Sequence, residues 1–201
     1  MNMKIFVGTV ILILGFPLIA SATSFGGYYR ISFPAETYES SKLGIIDFED
    51  SYLGFDAKAF YNINPYLSVV TAISFSKYPV EPLTLLADYP GSLVPEELQI
   101  WTARAETQLG IPINQLTPYI SVGTGLFNVS VTESRLDGSE WHFSESYPGI
   151  SIGGGVRAVL YGPISLDISP TYSFILGLDE MNVGMQKLRP LDIDIGIIAD
   201  M

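Results

Sequence analysis

The sequence predicts an all-β fold: an eight-stranded antiparallel up-and-down barrel that crosses a membrane on its strands. Three observations predict it. Apolar and polar residues alternate with period two in eight segments, the polar face of those segments is mostly Ser, Gly and Ala with a few charges, and short turn-like links alternate with long ones. Successive strand side chains point to opposite faces, so alternation means one apolar and one polar face. A soluble sheet would carry Lys, Glu and Thr on its wet side. A narrow barrel instead has room inside for small side chains, and its outer face must be apolar to lie in lipid.

The chain begins with Lys4, the uncharged run "IFVGTVILILGFPLI" and the small residues Ala20-Ser21-Ala22. Those are the three parts of a secretory signal peptide, residues 1–22 with cleavage after Ala22, and residues 23–201 remain as the barrel domain. The first strand, about 26–34, sets Tyr29, Ile31 and Phe33 against Tyr28, Arg30 and Ser32. The second, about 51–61, sets Leu53, Phe55, Ala57, Ala59 and Tyr61 against Gly54, Asp56 and Lys58; the third, about 66–76, sets Leu67, Val69, Ile73 and Phe75 against Ser68, Ala72, Ser74 and Ser76. "LQIWTARAETQLG" (98–110) is the fourth, with Trp101, Ala103, Ala105, Thr107 and Leu109 opposite Thr102, Arg104, Glu106 and Gln108. The fifth, about 119–129, places Ile120, Val122 and Leu126 against Ser121, Gly123 and Gly125. The sixth, about 149–161, places Ile150, Ile152, Val156, Ala158 and Leu160 against Ser151, Gly153, Gly155 and Arg157. "ISLDISPTYSF" and "LDIDIGIIA" complete the set, the last with Ile193, Ile195 and Ile197 opposite Asp192, Asp194 and Gly196. A tilted strand needs roughly 9–11 residues to cross a bilayer, a length each segment meets.

"NINP", "IPINQLTP" and "GP" join three of the strand pairs, and turn residues dominate them. The other four links run to about 12–19 residues and carry most of the acid, with Glu36, Glu39, Asp47, Glu49 and Asp50 in the first and Glu133, Asp137, Glu140 and Glu145 in the third. Tight turns therefore gather at one end and long loops at the other, with both chain ends on the tight-turn, periplasmic side. Tyr61, Tyr66, Tyr119 and Tyr161 fall at the turn end; Tyr52, Phe75, Tyr78, Trp101, Phe127, Tyr147 and Tyr172 fall near the loop end. Two interfacial belts of aromatic rings are the expectation.

The 201 residues include no cysteine, so no disulfide supports the exported fold. Residues 23–201 hold nine basic and 21 acidic side chains, a charge of −12 that repels phosphates and excludes a nucleic-acid partner. No cofactor is expected, and no His or Cys convergence points to a metal.

The stretches "PYISVGTGLF" and "GISIGGGVRAVLYGPISLDISPTY", a glycine-rich strand, a tight turn and an alternating strand, resemble the small OmpA- and OmpX-type outer-membrane β-barrels. The resemblance covers essentially all of 23–201, although the last residues, "IIADM", depart from the terminal aromatic common in that family. It implies a monomer in the outer membrane of a Gram-negative-type bacterium, surrounded by outer-membrane lipid. It also implies a lumen closed by buried ion pairs. The candidates are Arg30, Asp56, Lys58, Arg104, Glu106, Arg157, Asp167, Asp192 and Asp194. A turn centred near Gly162 sets Arg157 directly across from Asp167. A narrow pore with these charges setting selectivity is the alternative.

"EWHFSES" holds the sole histidine, His142, two residues from Ser144 with Glu140 and Glu145 nearby. Histidine, serine and carboxylate are the parts of an activated nucleophile, and His-x-Ser is similar to the motif of outer-membrane lipid A deacylases. Here the motif falls at a loop–strand boundary without a separate orienting carboxylate. The expectation is a non-enzymatic barrel with no catalytic residues, acting in envelope structure or in surface contact through its acidic loops.

Overall fold

Alternation at period two builds one continuous sheet that curls until its first and last strands meet. The computed structural model describes residues 23–34, 38–40, 44–46, 52–79, 93–135, 140–177 and 189–201. The segment 1–22, read as a signal peptide, lies outside the described residues, as do Glu36, Asp47, Glu49, Asp50 and Asp137. The barrel strands are β1 (Ser24–Pro34), β4 (Tyr52–Asn64), β5 (Leu67–Pro79), β6 (Leu93–Gly110), β7 (Leu116–Arg135), β8 (Glu140–Tyr161), β9 (Ile164–Ile175) and β10 (Pro190–Asp200). They close in the order β1-β10-β9-β8-β7-β6-β5-β4, and every neighbouring pair is antiparallel. A small separate hairpin, β2 (Tyr38–Ser40) with β3 (Gly44–Ile46), lies in the first long link.

Local chemistry explains the tight turns. Asn64 Oδ1 accepts hydrogen bonds from the backbone N–H of Tyr66 (2.9 Å) and Leu67 (3.0 Å), which reverses the chain between β4 and β5. Asn114 and Gly162 take positive φ, 56° and 54°, in the β6–β7 and β8–β9 reversals, a backbone state open mainly to Asn and Gly.

The faces sort as alternation demands. Trp101 is 43 % exposed and Ile152 54 %, while Arg104 and Asp194, on the opposite faces of their strands, are buried. Leu53, Ile120, Val122, Ile195 and Ile197 join the exposed apolar coat. A band of this kind would aggregate in water, whereas lipid requires it. Phe55, Phe75 and Trp101 pack together on this outer face at centroid separations of 4.6–5.9 Å, Phe55 edge-on to Trp101 and the other two pairs tilted. With exposed Tyr61, Tyr66 and Tyr161 at the other end, they are the rings placed for interfacial belts.

Four of the expected belt residues belong elsewhere. Tyr78, Tyr119, Phe127 and Tyr147 are buried in the lumen. Their parity settles this: Tyr119 and Phe127 share the face of Ser121 on β7, Tyr78 that of Ser76, and Tyr147 that of Ser151. The side chain of Tyr52 lies outside the described residues.

The third long link is also shorter than expected. β7 and β8 stay paired from Leu116↔Ala158 up to Ser134↔Glu140, so Glu133, Glu140 and Glu145 sit on strands. Beyond the lipid band both faces of a hairpin meet water. No apolar stripe then marks the strands, which is why "SVTESR" and "EWHFSES" read as loop.

Candidate functional site

The interior is layered. Near the turns Phe60, Val70 and Ile198 are fully buried and cluster with Tyr28. Near the loops Tyr78, Leu98, Ile100, Phe127, Val129 and Tyr147 point inward from β5–β8. Between these apolar tiers lies a tier of charge.

Seven charged side chains meet in that middle tier, each supplied by an inward position of β1, β4, β6 or β10. Arg30 Nε lies 2.7 Å from Asp194 Oδ1, and its Nη2 donates to Asp194 Oδ2 (3.0 Å) and to Asp56 Oδ2 (2.8 Å). Arg30 Nη1 stands 3.2 Å from Asp192 Oδ2, and Asp192 also accepts from the Ser32 hydroxyl. Lys58 Nζ sits 3.0 Å from Asp194 and donates to Ser169 Oγ at 3.1 Å. Arg104 Nη2 donates to Asp56 Oδ2 at 2.7 Å, and its Nε lies 2.7 Å from Glu106 Oε1, an ion pair whose geometry falls short of an aligned hydrogen bond. No side chain in this group is more than 5 % exposed.

The β6–β7 register makes room for it. On β7, Gly123 lies opposite Glu106 and Gly125 opposite Arg104. A Cβ at Gly123 would come within 2.7 Å of Glu106 Cγ, and one at Gly125 within 2.7 Å of Arg104 Cβ. Glycine at both positions lets the long side chains lie flat across the wall.

Arg157 and Asp167 stand apart from the seven. They pair across β8–β9 in the register of a turn centred on Gly162, but Arg157 Nε remains 3.9 Å from Asp167 Oδ1. Asp167 is held instead by two phenols, accepting from Tyr119 (2.9 Å) and Tyr28 (3.1 Å) on Oδ2. Tyr28 connects the two groups, because Lys58 Nζ lies 4.2 Å from its ring centroid. The roles of Tyr28 and Tyr119 carry a sequence signal only in parity, each being an inward residue next to glycine-lined wall. Enclosed charges of this kind must be paired, since an orphaned one costs several kcal/mol, on the order given for buried ions.

His142 and Ser144 occupy the outer face of the β7–β8 extension, away from this tier. His142 Nδ1 shares a 3.1 Å hydrogen bond with Thr132 Oγ1. Ser144 Oγ donates to Asn128 Oδ1 at 3.2 Å and meets Ser130 Oγ at 3.0 Å. Both side chains thus serve a cross-strand polar ladder rather than one another. Among the described residues no group of three or more His, Asp or Glu is arranged to hold a metal ion.

An apolar coat, an ionic interior and eight closed antiparallel strands define the fold of the small outer-membrane β-barrels, the class the sequence resembles. Solved structures carry the same likeness. Neisserial surface protein A matches with a TM-score of 0.61 and 17 % identity over 89 % of this chain and 96 % of that one. OprG from Pseudomonas aeruginosa matches at 0.58 and 12 % over 90 % and 97 %. Ail, the attachment invasion locus protein of Yersinia pestis, matches at 0.55 and 13 % over 89 % and 97 %. At these identities the likeness is one of fold. No family model matches the sequence, and no curated protein matches it significantly.

Proposed function

We propose that the chain is a non-enzymatic outer-membrane barrel whose wall is a closed scaffold and whose activity lies in its long links, displayed at the cell surface. The turn end then faces the periplasm. The observation that carries this reading is the middle of the lumen, where seven charged side chains pair with one another and none is more than 5 % exposed. Eight strands enclose an interior that side chains alone can fill. Within the proposal the ligand is cationic, because residues 35–51 contain five carboxylates and a single Lys42. The solved structure of Ail in complex with the heparin analogue sucrose octasulfate concerns a polyanion, which such a segment would repel.

Cell fractionation and planar-bilayer recording test the proposal together. It expects the protein in the outer-membrane fraction, with a gel mobility that changes on boiling, and no steady conductance from purified protein. A stepwise conductance altered by Arg104→Gln or Glu106→Gln would replace the scaffold with a narrow pore.

A further inference from the structure

Among the described residues four cations point into the lumen, and of these Arg157 alone has no carboxylate within 3.5 Å. Its side chain is 18 % exposed, whereas Arg30, Lys58 and Arg104 are 1–2 % exposed. Its one hydrogen bond among the described residues runs from Nη2 to Gln108 Oε1 at 3.5 Å, the limit for such a bond, and its Nε has no hydrogen-bond acceptor. The planar group is nevertheless held in place. Its centre lies 4.6 Å from the Phe60 ring centroid and 5.8 Å from that of Tyr119.

The guanidinium lines a cavity of about 210 Å³ at the turn-end mouth of the barrel, together with Asn62, Asn64, Ser68, Gln108 and Tyr119. None of the lining residues is a carboxylate. Asn64 spends its side-chain oxygen on the β4–β5 turn and Gln108 its oxygen on Arg157, which leaves the amide N–H groups of both as donors, while Asn62 is engaged with Ser68 and Ser24. Its Nε is buried on the Asp167 side, so the guanidinium meets the recess through its Nη groups, and a fixed planar cation at the edge of a recess without carboxylates is complementary to a planar carboxylate. The recess also has room for a small ligand. At ~30 Å³ per water, the recess holds on the order of seven waters, the space of one amino-acid residue.

We propose that this mouth binds a small carboxylate, of the size of a peptide's C-terminal residue, with Arg157 as the anion clamp and Gln108 and Asn64 as flanking donors. The site opens to the periplasm under the orientation proposed above, but its binding test does not depend on that orientation. Asp167 shares the guanidinium only at a distance: its Oδ2 is occupied by the Tyr28 and Tyr119 phenols, and its Oδ1 stays 3.9 Å from Arg157 Nε, beyond hydrogen-bond reach.

The test uses the full chain in lipid nanodiscs, with the arginine Nε–H resonances followed during titration. The probes are N-acetylglycine, acetate, inorganic phosphate and the neutral N-acetylglycinamide. The expected result is a saturable shift of the Arg157 signal by N-acetylglycine, with a Kd on the order of millimolar for so small a ligand. Acetate should bind more weakly and N-acetylglycinamide should leave the signal unmoved. Arg157→Gln should weaken binding roughly tenfold or more, the scale of a lost charge-assisted pair. Binding by that variant, which lacks the reporting signal, is read by competition on a ligand-observed resonance. Asn64→Asp keeps the oxygen that caps the turn while adding a negative charge to the recess, so it should fold as before and bind at least roughly fivefold more weakly. The proposal is overturned if N-acetylglycine gives no saturable shift at 100-fold the expected Kd, if the amide shifts the signal equally, or if Asn64→Asp binds unchanged. Phosphate binding as tightly as N-acetylglycine would overturn the carboxylate assignment in favour of a general anion site.

Discussion

Replacing Arg30 by Met removes the hub of the ionic tier while keeping a long, unbranched side chain. Asp56 keeps Arg104 at 2.7 Å, and Asp194 keeps Lys58 at 3.0 Å. Asp192 loses its only cation within 4 Å among the described residues, while remaining 4 % exposed. Breaking a buried pair in this way costs about 3–5 kcal/mol, mostly the penalty of the stranded charge. That is roughly a fifth or more of the ~5–15 kcal/mol that stabilises an ordinary domain. Adding Asp192→Asn removes the stranded charge but keeps an oxygen for the Ser32 hydroxyl. The double variant should therefore recover much of the loss, with a coupling of about 1–3 kcal/mol between the two sites. Urea unfolding in lipid vesicles, followed by tryptophan fluorescence and by heat-modifiable gel mobility, measures both quantities. A change below about 0.5 kcal/mol for Arg30→Met, or a double variant no more stable than the single, would show that the tier is not held by charge pairing.

Three further outcomes follow from the same geometry. Gly125→Ala should destabilise the barrel by about 1–3 kcal/mol in the same unfolding assay, because its Cβ would stand 2.5 Å from the Ala103 carbonyl oxygen. Ile152→Arg, on the lipid face midway along β8, should cost about 2–4 kcal/mol, whereas Ser146→Arg, at the edge of the band on the same face, should cost about 0–1 kcal/mol; equal costs would remove the depth gradient. Expression of the wild type, His142→Ala and Ser144→Ala should give identical lipid A acylation by mass spectrometry, and loss of an acyl chain in the wild type alone would identify a hydrolase.

Much of the wall was legible because period two carries both strand and face. Alternation around Trp101, Ile152 and Ile193 was enough to turn the apolar stripe outward. The contents of the lumen were only half legible. Charges stand out in a sequence of low charge, so Arg30, Asp56 and Arg104 were visible, but alternation cannot tell which carboxylate a flexible side chain will reach. Arg157 shows the difference: the Gly162 turn fixes its register against Asp167, yet two phenols from other strands take that carboxylate. For Tyr78, Tyr119, Phe127 and Tyr147 depth along the strand points to a belt, whereas parity with nearby serines is the deciding signal. An aromatic at a membrane boundary suits a belt and an inner plug equally well in composition, and only its face separates them. The β7–β8 extension was hidden for a related reason, since above the lipid no dry face exists to create a pattern.

Quenching of Trp101 by lipids brominated on their acyl chains tests the inside-out arrangement most directly, in a Trp141→Phe background where Trp101 is the sole tryptophan. The account predicts strong quenching by bromines near the headgroup end of the chains and little by aqueous iodide. Iodide quenching without any effect of brominated lipid would place that ring in water and contradict it.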